Sequence, residues 1–269
     1  QATVDSQKAG IYQQWLQMMR QAGDEDKTIE ACRNLVAVST SYEKYNTASQ
    51  LQSMLISAGR YDEAIEEAKK IIAGATAGEE MGWAKQSMYQ SMARAHLEAG
   101  NPDEAWACAL ESARANNSYI TADFLHIARE TGRINEAIPA LEQACAGMQE
   151  HSRVQAASLL AQAYRDTGRQ EDLTKLLDTL DQSASSMQDY YTKQVADILS
   201  SAGRQDRAIE LYKQIATEGG QYESHDALTA LFGVWKDAGR LDDALAWAAE
   251  QKQSAPLLSL MADAYKEQK

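Results

Sequence analysis

The side chains best able to do covalent or metal chemistry are few in this chain and stand apart. There are four histidines, His96, His126, His151 and His225, and three cysteines, Cys32, Cys108 and Cys145. No two cysteines have the short spacing of a zinc or redox motif. Each lies in an apolar helical context, so the sequence predicts three free, largely buried thiols. No glycine-rich phosphate loop or nucleophile elbow is present. We therefore expect neither catalysis nor a cofactor.

Besides covalent and metal chemistry, the sequence offers reversible binding by polar side chains. These side chains recur at fixed positions before seven repeated glycines. Residues ten, six and three positions before each glycine share one helical stripe, rich in Gln, Ser and Arg. The predicted partner-binding residues are Gln13, Gln17, Arg20, Gln90, Arg94, His126, Arg129, Gln162, Arg165 and Lys193, with Tyr119 and Tyr190 as aromatic anchors.

Four arginines in this stripe, Arg20, Arg94, Arg129 and Arg165, would form a basic ladder. The guanidinium group is a planar fork that suits carboxylates. We therefore expect a protein partner, and first of all an acidic or extended peptide. The alternative is that these are ordinary solvated residues, each arginine pairing with a nearby acid such as Glu130 or Asp166.

Composition narrows the class of partner further. The chain has 269 residues, a net charge of −13 and a sequence pI near 4.8. An acidic surface repels phosphate backbones and anionic lipids, so we expect neither nucleic acid nor membrane as a partner. No apolar run approaches the roughly 20 residues that a membrane span needs. A cytoplasmic location is expected, or a periplasmic or secreted one if Gln1 follows a cleaved signal peptide.

A short sequence motif that recurs along the chain predicts the helices that position these residues. AGRYDEAI, AGNPDEAW, TGRINEAI, TGRQEDLT, AGRQDRAI and AGRLDDAL recur, after a weaker first copy, AGDEDKTI. Their glycines are spaced by 36, 41, 32, 36, 35 and 36 residues and are Gly23, Gly59, Gly100, Gly132, Gly168, Gly203 and Gly239. The uneven second and third spacings indicate a longer loop at residues 74–78. A fixed period of this length indicates a helical repeat array.

The residues of the repeated motif each have a structural explanation. The glycine suits a left-handed stop at the end of one helix. The acid or amide three residues later, Asp62 for example, is expected to cap the next helix or complement its dipole. Five residues after the glycine stands a small residue in most copies, which lets two helices approach closely: Ala64, Ala105, Ala137, Ala208 and Ala244.

The helix before each glycine has an apolar face of its own. Residues eight and four positions before the glycine lie on one side of a helix, and all of them except His96 are apolar or aromatic. The unit is therefore a helix, a tight turn and a second helix around one buried seam, and His96 is expected to have a packing role.

Such a unit resembles the tetratricopeptide repeat (TPR), from about Ala9 to Lys269. The resemblance implies an all-α, open, right-handed α-solenoid of antiparallel helix pairs. We expect an N-terminal tail over 1–8, one repeat domain over 9–269 with about seven repeats, and a capping helix over 257–269. Pro139 falls inside a predicted helix. In the family the first helices line a concave groove, so the resemblance implies a non-enzymatic scaffold that binds a partner there.

Three other functions share parts of this pattern. The period is close to that of the RNA-binding pentatricopeptide proteins, but the acidic net charge of this chain argues against RNA as its partner. Helical arrays that close into a toroid can be sugar-active enzymes, but the aromatic content is only 7%. A peptide-pheromone receptor would need a DNA-binding head, for which residues 1–8 leave no room. The lysine and asparagine set that grips a C-terminal carboxylate in some TPR proteins is absent.

Overall fold

A computed structural model describes residues 2–74, 79–115, 119–147 and 150–250. Within these residues it contains fourteen α-helices and no strand. The helices are α1 Ala2–Ala22, α2 Glu25–Val38, α3 Ser41–Ser57, α4 Tyr61–Gly74, α5 Glu79–Glu98, α6 Pro102–Ala115, α7 Ala122–Glu130, α8 Ile134–Cys145, α9 Glu150–Asp166, α10 Gln170–Ala184, α11 Asp189–Ser201, α12 Gln205–Glu218, α13 Gln221–Asp237 and α14 Leu241–Glu250. The predicted all-α class is confirmed.

The helices form seven consecutive pairs, in which we call the odd-numbered helix the first helix and the even-numbered one the second helix. Two compact units contain them, residues 1–144 and residues 145–269. Within each unit, the second helix of one pair packs against the first helix of the next, as α2 does on α3 and α12 does on α13. A buried seam therefore runs through successive pairs of each unit.

All seven turn glycines have the left-handed conformation that the sequence predicts, with φ between 68° and 86°. In the second turn, the Gly59 N–H donates to the Ile56 carbonyl at 3.0 Å, and the Arg60 N–H donates to the Leu55 carbonyl at 2.9 Å. The same two bonds recur at the other six turns. This is the Schellman arrangement, which satisfies the last carbonyls of the first helix and reverses the chain in two residues.

The prediction for the acids three residues after the glycine is corrected in one respect. The second helices begin two residues after the glycine, so Asp62 is the second residue of α4 and not its N-cap. These acids therefore complement the helix dipole from inside the first turn. A carboxylate does cap α2: Asp24 precedes the helix, and its side chain accepts from the Lys27 N–H at 3.1 Å.

The small residues that the sequence identifies five positions after the turn glycine are buried in the structure. All five alanines at this position have no exposed surface. Thr28 and Leu173, which replace alanine in the first and fifth repeats, are buried as well. Most seam residues of the first helices are also buried, from Leu51 and Leu55 in α3 to Leu231 and Trp235 in α13. Trp15, Met19 and His96 are half-buried exceptions.

Two further expectations concern the ends and the interior of the chain. The tail expected over residues 1–8 is helical from Ala2 onward, because nothing in this stretch breaks α1 before its turn at Gly23. Pro139 does lie inside a helix, α8. The expected loop at 75–78, Pro256 and the capping helix over 257–269 lie outside the described residues.

Candidate partner-binding surface

The first-helix face, defined as the residues ten, six and three positions before each turn glycine, is largely exposed in the first unit. On α1, Gln13, Gln17 and Arg20 are all exposed. The Gln13 Nε2 donates to Glu43 Oε1 at 3.1 Å, and the Arg20 Nη2 contacts Gln50 Oε1 at 3.3 Å and Met54 Sδ at 3.9 Å. The face of α1 is therefore linked to α3 by polar contacts that stay open to solvent.

The same face continues from α5 to α7. Gln90 is half-buried and donates to Thr121 Oγ1 at 2.6 Å, and the exposed Arg94 pairs with Asp123 at 2.6 Å. His126 and Arg129 follow on α7 and are exposed. An acid on the next first helix thus offsets the charge of Arg94, which agrees in part with the alternative of ordinary solvated ion pairs.

Tyr119 lies just before α7 and is half-buried, and its carbonyl accepts from Gln86 Nε2 at 2.5 Å. Gln86 itself is buried in α5. The backbone of Tyr119 thus fixes the entry of α7 against α5, a structural role that the sequence did not indicate.

In the second unit the corresponding face runs over α9 and α11. Gln162 is half-buried, and the exposed Arg165 donates from Nη1 to the Ser201 carbonyl at 2.6 Å. Lys193 pairs with Asp197 at 3.1 Å, and Asp197 also accepts from the hydroxyl of Tyr212 at 2.6 Å. Tyr212 is buried in α12, and burial followed by the Asp197 carboxylate raises its pKa, so the hydroxyl stays a donor at neutral pH.

Tyr190 is the aromatic residue of this face that the sequence identified, and it is 53% exposed. Its ring meets that of Tyr191 edge-on at 5.2 Å, and Tyr191 in turn lies 6.2 Å from the His151 ring. These three residues place an accessible aromatic group at the beginnings of α9 and α11.

A second aromatic group was missed by the sequence analysis. In the first unit, the rings of Tyr42 and Trp83 stack at 5.5 Å with an angle of 20°, and the Tyr45 ring meets Trp83 edge-on. Tyr42 is 64% exposed and Trp83 is 40% exposed. Both stand seventeen residues before their turn glycines. Extending the repeat comparison to the starts of the first helices would have found them.

Burial changes the acidity of two of the candidate nucleophiles and general bases. None of the three cysteines forms a disulfide, and the expectation of a buried thiol is met by Cys32, whereas the other two are half-buried. Burial raises the pKa of the Cys32 thiol to about 11, despite the opposing influence of Arg20, so the reactive thiolate is scarce at neutral pH. Burial also lowers the pKa of His96. Cys32 and His96 are therefore described best as parts of the helix packing.

Among the described residues, no group of three or more His, Cys, Asp and Glu side chains is arranged to hold a metal ion. No helix in the same ranges is long and apolar enough to cross a membrane. A shallow cleft of about 260 Å³ lies between α6 and α8, with Leu110, Ile120 and Pro139 in its lining.

Comparisons with known proteins give one family model that matches part of the chain and structures that resemble it. The family model described as Tetratrico peptide repeat matches residues 125–199. A structure of nearly identical TPR-like repeats of a Podosopora anserina kinesin light chain is 18% identical, covers 76% of this chain and 99% of its own, and has a TM-score of 0.43. A tetratricopeptide repeat protein of Parabacteroides merdae is 13% identical, covers 95% and 99%, and has a TM-score of 0.41. No protein with curated annotation matches the sequence.

The matched segment runs from α7 to α11, and the same turn geometry recurs at all seven glycines. This chain is a TPR-like helical repeat protein. TPR repeats generally serve as scaffolds for protein–protein interaction and typically have no catalytic role, and they bind protein partners. The TPR-like pairs of this chain present the first-helix face as a repeated polar surface within each unit.

Proposed function

We propose that this protein is a non-enzymatic scaffold that binds a partner protein through an extended, acidic segment along the first-helix faces of its units. The observation that carries the proposal is the recurrence of exposed arginine on the faces of four first helices, α1, α5, α7 and α9, in a chain with a net charge of −13. Such side chains can bind carboxylates bidentately. Neither nucleic acid nor membrane lipid is proposed as a partner.

The contacts of these residues support binding rather than a purely structural role. Arg20 and Arg129 remain exposed although each has protein contacts. Gln13, Gln17 and Gln90 supply amide groups on the same face, which can bond the backbone of an extended peptide. An extended segment could therefore be held by amides along its backbone and by arginines at its acidic side chains.

The contribution of each arginine should differ, because their local partners differ. Arg94 is paired with Asp123 and would have to exchange that carboxylate for one of the partner's. Arg165 is bonded to a neutral carbonyl, so its charge is not offset by that contact. We therefore expect Arg165 to contribute more to the binding of an acidic peptide than Arg94 does.

Fluorescence anisotropy with short labelled peptides tests the proposal, using an Asp- and Glu-rich, an uncharged and a Lys- and Arg-rich sequence. We expect the acidic peptide to bind best to the full chain. The changes Arg129→Glu and Arg165→Glu together should weaken its binding at least about tenfold, equivalent to about 1.4 kcal/mol. The loss should be larger at low salt than at high salt.

The matched control places the same charge change on second helices, with Arg114→Glu on α6 and Lys175→Glu on α10. Both side chains are well exposed, at 69% and 74%. If this control weakens peptide binding as much as Arg129→Glu with Arg165→Glu does, then the change in net charge, and not the first-helix face, is responsible for the loss of affinity. Equal affinity for all three peptides would contradict the proposal directly.

A further inference from the structure

The ring of Tyr42, at the beginning of α3, has one face covered and the other open to solvent. It stands two helical turns before Ser49 and so continues the stripe of the first-helix face. Its covered face stacks on Trp83 of α5, and Trp83 is met edge-on by Tyr45, which packs against the apolar core. Because Trp83 approaches from α5, the open face of Tyr42 is turned towards α1.

A carboxylate lies on the same side of α3 as this open ring face. Glu43 is exposed, and its Oε1 accepts a hydrogen bond from the Nε2 of Gln13 on α1 at 3.1 Å. Gln13 is neutral, so this contact does not offset the charge of Glu43. Lys44, the next base in the sequence, is half-buried and lies about 200° around the helix from Tyr42. The open ring and the carboxylate together therefore favour a cation.

An aromatic face beside a carboxylate suits the guanidinium group of arginine in particular. This group is planar, so it can stack on the ring while its N–H groups point in its own plane towards the carboxylate. An apolar residue placed there would desolvate Glu43 and leave its charge without a partner. The net charge of −13 also attracts cations to the surface of the chain.

We propose that Tyr42 and Glu43 form an arginine subsite beside the first-helix face, which selects one basic residue within the acidic segment of the partner. The inference rests on the proposed function, since it specifies the segment that is bound there. Gln13 would give up its contact with Glu43 to the arginine, which is the stronger donor because it is charged.

A second link between α1 and α3 sets the spacing of the recognised residues. Arg20 contacts Gln50, and these residues lie seven positions beyond Gln13 and Glu43 on their helices. Seven helical residues span about 10 Å, which an extended segment covers in about three residues. The segment therefore carries an arginine about three positions from the acidic residue that Arg20 binds.

Fluorescence anisotropy with two labelled peptides and the full chain tests the subsite. One peptide has a central arginine with glutamate three positions away on either side, which samples both chain directions. In the other peptide, glutamine replaces the arginine. The parent should bind the arginine peptide at least about fivefold more tightly. Tyr42→Ser and, separately, Glu43→Gln should abolish this preference, whereas Tyr42→Phe keeps the ring and should retain it.

The matched control is Tyr222→Ser with Glu223→Gln, which changes the same two residue types at the same repeat positions of α13 in the second unit. This control should keep the preference of the parent for arginine. Circular dichroism should show the parent helix content in the α3 variants, since Tyr42 and Glu43 are exposed. A preference that survives both Tyr42→Ser and Glu43→Gln, or that the control abolishes instead, would overturn the proposal.

A third peptide, which keeps the arginine but has glutamine in place of both glutamates, separates this proposal from the proposed function. If it binds as tightly as the first peptide and its binding depends on Tyr42, the subsite stands and the acidic-segment proposal fails. If the two glutamate-containing peptides bind equally well, acidic recognition stands and the arginine subsite fails. Absence of saturable binding by all three peptides would contradict both.

Discussion

The two faces of these repeats are cross-linked in different ways. The polar contacts that link a second helix, or the turn before it, to the preceding second helix are mostly ion pairs: Arg60 with Asp26, Arg33 with Glu63, Arg133 with Asp103, Arg204 with Asp178, Arg207 with Asp181 and Arg240 with Asp206. Between successive first helices, the polar contacts are mostly hydrogen bonds in which at most one partner is charged. Examples are Gln90 with Thr121 and Ser49 with Ser87, in which both partners are neutral.

This difference has a simple origin in the repeated word. The residue after the turn glycine is arginine in five of the seven copies. In four of these copies the side chain reaches an acid on the preceding second helix, as Arg60 reaches Asp26, and in several copies it also reaches an acid of its own first turn, as Arg60 reaches Glu63. Much of the charge on the second helices is thus paired within the chain, whereas the first-helix face carries amides and arginines that we propose a partner engages.

The largest expected effect tests whether the apolar seam, and not either set of polar links, holds the repeats together. Ala208 in α12 has no exposed surface, and we expect it to lie where α12 meets its paired helix. Ala208→Leu should overpack that contact and lower the free energy of unfolding by about 1–3 kcal/mol. Thermal or urea unfolding measures the change. Ala246→Leu, on an exposed position of the second helix α14, should have little effect, and equal losses in both would show that the helix contact is wrongly placed.

A smaller effect on the free energy of unfolding is expected from a first-helix residue that is buried without any polar contact. Gln52 in α3 is only 1% exposed, and neither polar atom of its side chain has a protein partner. A buried amide without hydrogen bonds costs free energy, so Gln52→Leu should raise the free energy of unfolding by about 1 kcal/mol. Urea unfolding at fixed pH is the measurement.

Gln86 provides the matched control for Gln52. It is also a buried glutamine on a first helix, but it donates to the Tyr119 carbonyl. Gln86→Leu should therefore lower the free energy of unfolding by about 1 kcal/mol. A loss of stability in both variants would mean that Gln52 has hydrogen bonds that its protein neighbours do not account for.

The smallest expected effect concerns acid and the charged second-helix face. Hydrogen bonds from Arg60 and then Arg33 lower the pKa of Glu63 from its ordinary 4.5 to about 2. The ionised carboxylate therefore stabilises the fold above pH 4.5, and this contribution is lost as the pH falls towards 2. Because Glu63 and its two arginine partners are partly exposed, the contribution of this charge to the free energy of unfolding should be under about 1 kcal/mol.

Urea unfolding of the parent and of Glu63→Gln at several pH values tests this expectation. The stability difference between them should be present at neutral pH and shrink as the pH falls from 4.5 towards 2. It should also shrink at high salt. A difference that stays constant with pH would show that Glu63 contributes by packing and not by its charge. Glu142→Gln on α8 is the comparison for a general loss of negative charge.

Much of the fold could be predicted from the sequence because its signals are local. A glycine with a positive φ, a small residue five positions later and an apolar pair before it each restrict the backbone or the packing of one helix pair. The sequence left open whether the acid after each glycine caps the next helix or complements its dipole, and the structure places it in the first turn. The candidate site stays a prediction: most of its residues are exposed, but neither the pairing of Arg94 with Asp123 nor the stacking of Tyr42 on Trp83 was predicted.

The sequence by itself determined the helix–turn–helix unit, its period and the buried face of each helix, because these depend on spacing along one helix and on one turn. Only the tertiary structure decided which charges pair between neighbouring repeats, since residues about thirty positions apart, such as Arg60 and Asp26, meet only when two helix pairs stack.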